Sequence, residues 1–239
     1  MSFISRRLIH TVPRLSTKLP GLYSEKGFQT AWTDYQTLLT TRLSQLTAGT
    51  ADETRFPFHI AQIHAKDQTK QKVFNAASQA HNNHFFFQQL VSPENNTTRP
   101  SRQLEERIEA RFGSLDGLKK ELVAQSEKII GQGWLFVVED YTKQLDILAL
   151  NNSGTPYHFA GNHALDLNGP ISEGDYNELT AMQKDLAEGG QDYTLPLLAV
   201  SLWDQSYLVD YGVSGRKQYI EKVFDATNWD VVSSRVFKL

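Results

Sequence analysis

The feature that most constrains this fold is a change in the spacing of apolar residues midway along the chain. Between residues 25 and 90, large apolar residues recur every three or four positions, as one face of an α-helix requires. Helices are therefore predicted over 25–46 and 71–90, joined by a connection that contains Pro57. Two such helices bury their apolar faces by packing on each other, so residues 25–91 are predicted to form a helical hairpin domain.

After a polar linker at 92–102 that contains two prolines, the pattern changes to short apolar runs typical of β-strands. Residues 103–239 are predicted to form an α+β domain with a small antiparallel sheet of about three strands. The predicted strands are 133–139, 144–150 and 195–203, and the predicted helices are 104–112, 115–130, 215–226 and 229–237. A long inserted loop at 151–193 contains a further predicted helix at 173–187, and loops of this length commonly carry binding functions.

The first 24 residues differ in charge from the rest of the chain. They contain no acidic residue and four basic ones, Arg6, Arg7, Arg14 and Lys18. This composition is typical of a mitochondrial transit peptide, so residues 1–24 are predicted to be a leader that directs the chain to the mitochondrial matrix. A basic arm that stays on the protein and contacts nucleic acid is the alternative. Since the whole chain has a net charge of −3, removing the +4 of this segment leaves −7 on residues 25–239.

The composition limits the chemistry that the chain can perform. The absence of cysteine excludes disulfide bonds, thiolate metal sites and cysteine nucleophiles, which leaves seven His and the carboxylates as metal ligands. The longest stretch that approaches an apolar span, residues 194–203, is too short to cross a bilayer, so no membrane partner is expected. His158, His163 and Asp166 lie close together in the long loop, but their spacing matches no usual metal motif.

Six separated strings occur in the order that characterises one known family. They are FNAASQAHNNHFFFQQL, FGSLDGLKKEL, GQGWLFVV, LDILALNNSGTP, LPLLAVSLWDQSYLVDY and NWDVVSSRVF. Together they resemble the iron/manganese superoxide dismutase family over most of residues 28–237, with the 151–193 loop as an interruption. The resemblance implies a helical hairpin followed by an α+β domain, which is also what the apolar spacing predicts.

The resemblance also locates the four positions at which the family holds its metal through three His and one Asp. They correspond here to Gly27, His84, Ser201 and Gln205, so only His84 keeps a ligand of the family. The family's glutamine that hydrogen-bonds the metal-bound water has two possible locations, which hold Ser153 and Ala80 here. A single imidazole does not hold iron or manganese. We therefore expect no metal, no other cofactor and no catalytic residue, with His84 as a buried neutral imidazole.

The dimer contact of the family implies a second kind of site. In the family motif WEHAYY, the glutamate reaches a metal-ligating histidine of the other subunit. Here Trp203 and Tyr207 are kept, whereas Asp204 and Gln205 replace the glutamate and the histidine. These four residues are the candidate interface, and the altered pair favours an asymmetric partner with the same fold over an identical copy.

A dismutase fold that lacks metal ligands and carries a mitochondrial leader resembles one group within the family, the fungal mitochondrial small-ribosomal-subunit proteins. The string AHNNHFFF, followed by Gln where the enzymes carry Trp, is similar to that group. The resemblance implies a structural, non-enzymatic component of the mitochondrial ribosome, paired with a paralogous dismutase-like subunit as a heterodimer. The alternatives are an active mitochondrial superoxide dismutase with a relocated metal site and a free mitochondrial scaffold protein.

The charge of the predicted mature chain limits its contact with ribosomal RNA. Neutralisation of phosphates supplies most nonspecific affinity for RNA, and a body with a net charge of −7 is poorly suited to it. We expect contacts mainly with other ribosomal proteins, including contacts through the 151–193 loop. Limited contact with rRNA is expected at local basic positions, and the candidates are Arg99, Arg102, Lys119, Lys120, Arg216 and Lys217.

Overall fold

The structure is a computed structural model in which the described residues are 10–15, 18–65, 67–140, 142–157 and 194–236. Most of the 151–193 loop lies outside them, including its predicted helix and the His158, His163 and Asp166 cluster. Residues 1–9 and 16–17 of the predicted leader also lie outside them. The expectation that His158, His163 and Asp166 form no metal site therefore stays a prediction.

The described residues form six α-helices, then three strands and then three further α-helices. The helices are α1 (Glu25–Phe28), α2 (Tyr35–Thr47), α3 (Pro57–His64), α4 (Gln71–Gln88), α5 (Arg102–Phe112), α6 (Leu115–Ser126), α7 (Asp204–Tyr211), α8 (Arg216–Asp225) and α9 (Trp229–Ser234). The strands are β1 (Gly133–Glu139), β2 (Leu145–Asn151) and β3 (Leu195–Ser201). This architecture confirms the predicted α+β class with a helical N-terminal region and a three-stranded antiparallel sheet.

The chain divides into two compact units, and each is discontinuous in sequence. The first contains residues 1–97 and 203–228, and the second contains residues 98–202 and 229–239. The predicted division differs at 203–228, which was assigned to the C-terminal domain. These residues join the first unit because the fully buried Tyr219 of α8 lies 3.2 Å from the hydroxyl of Tyr23.

The helical hairpin of the first unit begins with one continuous stretch from Glu25 to Thr47, as predicted, but its middle part is wound as a π-helix over Gln29–Asp34. The Ser24 hydroxyl caps this stretch by accepting a hydrogen bond from the Gly27 amide at 3.0 Å. Helix α3 was not predicted. It packs with α2 and α4 around one apolar cluster, made of Leu43, Ile60, Ala61, Phe74, Ala76 and Ala77.

The second unit is built around the sheet, whose strand order is β2-β1-β3 with both pairings antiparallel. Every residue of the central strand β1 is buried, which explains why its sequence is an almost continuous apolar run. Its one charged residue, Glu139, is paired with the guanidinium of Arg107 on α5. A β-bulge opposite Val137 and Val138 accommodates Pro196, which cannot donate to the ladder.

Two further regions differ from the sequence-based expectation. Residues 204–211 form helix α7, which was not predicted. The predicted linker at 92–102 is hydrogen-bonded to the end of α8. The Asn96 amide donates to the backbone carbonyls of Asp225 and Thr227 at 2.9 and 2.7 Å. Among the helices that the structure describes, none is both long and apolar enough to cross a membrane.

Candidate functional site

The first predicted ligand position, Gly27, lies in helix α1 against the carboxylate of Asp210 on α7. A Cβ atom built on Gly27 would lie 1.8 Å from Oδ2 of Asp210 on α7. That carboxylate oxygen accepts a hydrogen bond from the Ser24 amide at 3.1 Å, beside the start of α1. Asp210 therefore occupies the space into which a residue-27 side chain would extend.

The second position, His84, lies on α4 and is half-buried, not fully buried as expected. Its ring centroid lies 6.1 Å from that of Trp32 in the π-helical segment. Next to it, the fully buried Asn83 amide donates to Oε1 of Gln36 at 2.9 Å, and Gln36 donates in turn to the carbonyl of Ala80 at the same distance. The environment of the retained histidine is thus a network of neutral polar groups.

The Gln205 position lies in the first turn of α7 beside an aromatic pair. The ring centroids of Tyr35 and Trp203 are 6.1 Å apart, and the Tyr35 hydroxyl donates to Gln79. Burial raises the pKa of the Tyr35 phenol well above its ordinary value, and the neighbouring Gln205 amide and Arg42 offset only part of that shift. Nε2 of Gln205 is buried close to the Tyr35 hydroxyl, but it forms no hydrogen bond of good geometry among the described residues.

The fourth position, Ser201, ends strand β3 in the second unit and is fully buried opposite Trp134. A hydroxyl is neutral at physiological pH and is a poor donor for iron or manganese. Of the two positions for the family's water-binding glutamine, Ala80 is buried on α4 and Ser153 is half-buried after β2. Neither side chain is a glutamine.

The residues at these positions do not fit an iron or manganese ion. Only His84 offers an imidazole, and the other three positions offer no carboxylate or histidine. Within the described ranges, no cluster of three or more His, Cys, Asp or Glu side chains could hold a metal ion. The donor set therefore supports no redox step of a bound metal.

The four candidate interface residues differ in exposure. Trp203, Asp204 and Gln205 are half-buried. Tyr207 is buried, its ring is stacked on Tyr219 with centroids 5.7 Å apart, and its hydroxyl lies 3.3 Å from the Asp204 carboxylate. Tyr207 thus belongs to the core of the first unit, and any surface contact at this place has to use Trp203, Asp204 and Gln205.

The candidate basic residues also differ in their exposure to solvent. Four of them are exposed, namely Arg99, Arg102, Lys120 and Lys217. Arg102 forms an ion pair with Glu106 one helical turn away at 2.9 Å. Arg216 is half-buried and donates to the hydroxyl of Tyr207 at 3.2 Å, so it stabilises the first unit.

A cavity of about 570 Å³ lies within the first unit, and no local sequence pattern indicates it. Its walls come from α2, α4, residues 54–58 at the start of α3 and residues 10–13, and the retained His84 is among the residues that line it. The His10 ring is buried, and its Nε2 lies 3.3 Å from the hydroxyl of Thr47. That hydroxyl already donates to the carbonyl of Leu43, so the imidazole Nε2–H is the donor.

Part of the predicted leader is folded into the first unit. Leu19 and Leu22 are each 2% exposed. The ring of Tyr23 is stacked on Phe87 with centroids 5.8 Å apart. The spacing of the three residues, at positions 19, 22 and 23, is the one sequence signal of this role, and it is too short to separate core residues from the apolar face of a leader helix.

Comparison with known proteins identifies the family. Residues 100–168 and 172–235 match the family of iron/manganese superoxide dismutases, C-terminal domain. The chain belongs to the iron/manganese superoxide dismutase family. This confirms the resemblance and the fold that were predicted from the six strings.

Relatives within the dismutase family are of two kinds. The small ribosomal subunit protein mS43 of Schizosaccharomyces pombe is 30% identical over 95% of this chain and 84% of its own length. The small ribosomal subunit protein mS42 of the same organism is 32% identical over 76% of this chain and 74% of its own length. An iron superoxide dismutase of Legionella pneumophila is 28% identical over 95% of this chain and 98% of its own length.

Proposed function

We propose that this member of the dismutase family is a structural component of the mitochondrial small ribosomal subunit. The observation that carries the proposal is the match to the small ribosomal subunit protein mS43, which extends over 95% of this chain. A match of that length includes both units, so it concerns the whole protein and not one shared domain. The basic, acid-free first 24 residues support the mitochondrial location.

The proposal includes the absence of dismutase activity. Its support is the side chain at each ligand position: Gly27 is blocked by Asp210, and Ser201 and Gln205 are neutral. Full-length protein purified from mitochondria is expected to contain far less than one iron or manganese per chain and to show no dismutase activity. Stoichiometric metal together with activity would establish the alternative, an enzyme with a relocated metal site.

The decisive experiment is sedimentation of a mitochondrial extract that contains the tagged chain at its natural level. A ribosomal component is expected to migrate with the small ribosomal subunit at moderate salt, together with other subunit proteins identified by mass spectrometry. A tagged matrix enzyme in the same gradient serves as the control for trapped soluble protein. Migration of the chain at the top of the gradient with that enzyme would contradict the proposal and favour a free scaffold protein.

We also propose that the partner is a paralogous dismutase-like subunit and that the surface at the start of α7 makes the contact. Among the described residues, the buried Nε2 of Gln205 forms no hydrogen bond of good geometry although the Tyr35 hydroxyl is close to it, and such buried amide donors are uncommon in folded proteins. A partner that supplies a carboxylate or carbonyl oxygen would satisfy it. The half-buried Trp203 and Asp204 lie next to it in sequence and offer an aromatic ring and a charge for the same contact.

The contact can be tested by replacing the donor with an acceptor. Gln205→Glu is expected to reduce copurification of the dismutase-like partner at least tenfold, because a carboxylate cannot donate to the partner's oxygen. Gln103→Glu, on the exposed face of α5, is the matched control and is expected to leave copurification unchanged. Equal thermal unfolding of both variants would show that folding is not the cause. Unchanged copurification of Gln205→Glu would exclude this surface as the contact.

We propose further that the leader ends before His10 and not at residue 24. Leu19, Leu22 and Tyr23 contribute buried apolar surface to the first unit, and the buried His10 lines its cavity, so their removal would expose both. Mass spectrometry of the N-terminal peptide of the protein isolated from mitochondria is expected to find a first residue at or before position 10. A mature chain that starts at residue 25 would contradict this boundary.

A further inference from the structure

The cavity of the first unit has the size of a small-molecule site. Its volume is about 570 Å³, and ligand-binding cavities typically measure about 300–1,000 Å³. All residues that line it belong to the first unit, and His10 at the N-terminal end of the described chain forms part of one wall. The small side chain of Ala80 leaves it open next to the retained His84.

The described residues that line the cavity include one arginine, Arg55, and no carboxylate, although residues 25–239 carry a net charge of −7. His10, His81 and His84 also line it, and burial lowers the pKa of His10, so that ring is neutral near pH 7. The Arg55 guanidinium gives one Nη1 bond to Asp52 at 2.7 Å, and a guanidinium has five N–H donors in all. Such a lining suits a ligand with an anionic group.

Aromatic rings form a second part of the cavity lining. The ring of Phe58 lies 5.1 Å from that of His81, centroid to centroid, at an interplanar angle of 49°. Phe56 also lines the cavity and is 73% exposed, which is unusual for a phenylalanine. Exposed rings of this kind stack on planar bases regardless of base identity.

One hydrogen-bonding group of the cavity lining, the Thr40 hydroxyl, can accept a hydrogen bond from a ligand. The Gln36 side chain already donates to the carbonyl of Ala80 and accepts from the Asn83 amide. The Thr40 hydroxyl gives its hydrogen to the carbonyl of Gln36 at 2.9 Å, which leaves oxygen lone pairs for an N–H donor. A heteroaromatic base with an amino or imino group supplies that donor.

We propose that this cavity binds a nucleotide, with the base against Phe56 and Phe58 and the phosphate at Arg55. A free mononucleotide and an unstacked nucleotide of rRNA share this chemistry. Binding of a free mononucleotide does not depend on the proposed ribosomal function. Binding of an rRNA nucleotide in this cavity requires that the protein is part of the ribosome.

The first arm of the test uses purified full-length protein and isothermal titration with AMP, GMP, CMP, UMP and inorganic phosphate. At least one mononucleotide or a ten-nucleotide single-stranded RNA is expected to bind, and phosphate alone at least tenfold more weakly. Arg55→Gln and Phe56→Ala are each expected to weaken binding at least fivefold. Arg111→Gln, an exposed arginine of the second unit, is the matched control and should bind as wild type.

The second arm distinguishes the two sources. Ultraviolet cross-linking of small ribosomal subunits, followed by peptide mass spectrometry, is expected to give a nucleotide adduct on residues 54–58 if rRNA fills the cavity. If a mononucleotide binds but that adduct is absent, the ligand of the cavity is a free nucleotide. The proposal is overturned if no mononucleotide or RNA binds the purified protein, or if binding is unchanged in both Arg55→Gln and Phe56→Ala. Failure of cosedimentation affects only the ribosomal proposal.

Discussion

The two units of this molecule bury different kinds of side chain. Of the buried polar residues in the described part of the chain, twelve lie in the first unit and four in the second. The second unit is a conventional apolar core around β1, in which the charge of Glu139 is compensated by Arg107. The first unit holds three of the four family ligand positions, Gly27, His84 and Gln205, within an interior that is still polar. Although the metal ligands are absent at these positions, the surrounding interior of the first unit still contains hydrogen-bonded polar side chains and is not filled by apolar ones alone.

A substitution in the apolar core of the second unit is expected to give the largest loss of stability. Leu135→Ala in β1 removes a fully buried side chain and should lower the free energy of unfolding by about 3 kcal/mol, from lost burial and the cavity that remains. Urea unfolding measures the change. Ile130→Ala, at a residue that is 98% exposed just before the strand, is the control and should change little. Equal effects of the two variants would contradict the description of this core.

The filled ligand position in the first unit is expected to give the next largest effect. Gly27→His displaces the exposed Asp210 carboxylate from the Ser24 amide, which should cost up to about 2 kcal/mol of unfolding free energy from the lost hydrogen bond and local repacking. The double variant with Asp210→Ala should recover part of that loss, with Asp210→Ala alone as the control. Gly27→His should also fail to bind iron or manganese in metal analysis, because Ser201 and Gln205 still replace two ligands. A stable Gly27→His protein with one bound metal would contradict the loss of the metal site.

The polar interior of the first unit can be tested at Asn83. Asn83→Ala leaves Oε1 of Gln36 without its donor in a buried place and should cost about 2 kcal/mol. Adding Gln36→Leu should cost less than the sum of the two single changes, because both side chains belong to one hydrogen-bond network. Asn95→Ala at an exposed position is the control. Full additivity in urea unfolding would mean that the pair does not act as a network.

The smallest expected effect concerns the buried His10. Burial lowers the pKa of its imidazole below 6.5, so the unfolded chain takes up a proton before the folded chain does. Stability from this group is therefore complete above pH 6.5 and decreases as the pH falls below that value. Between pH 7.5 and 5.5, His10→Gln should lose less stability than wild type, by about 1 kcal/mol or less. An identical pH dependence of the two proteins would contradict a buried neutral His10.

The success of the sequence-based prediction also differs between the two units. The bounds of β1 were predicted to the residue, because a strand buried on both sides needs an apolar run that no solvent-facing element shows. Helix α7 was missed because it is short and mixes polar residues with two tyrosines. Its buried face is defined by Tyr207 packing on Tyr219 of α8, a contact that local spacing does not contain.

The sequence located the four ligand positions but did not indicate their surroundings. The family motifs assign Gly27 to the first ligand position, but they do not indicate which side chain fills the space beside it. That answer required Asp210, which is 183 positions later in the chain and approaches through the packing of α7. The cavity was missed for the same reason, since its walls combine residues from 10 to 88.

The sequence by itself determined the fold class, the family and the absence of a complete metal ligand set, because these depend on residue type and order along the chain. Tertiary structure decided that residues 203–228 complete the first unit, that Leu19 to Tyr23 belong to the folded protein and that a cavity lined by Arg55 lies beside His84. These properties arise where segments distant in sequence pack together. Burial and hydrogen bonding across such contacts are not encoded in any local pattern.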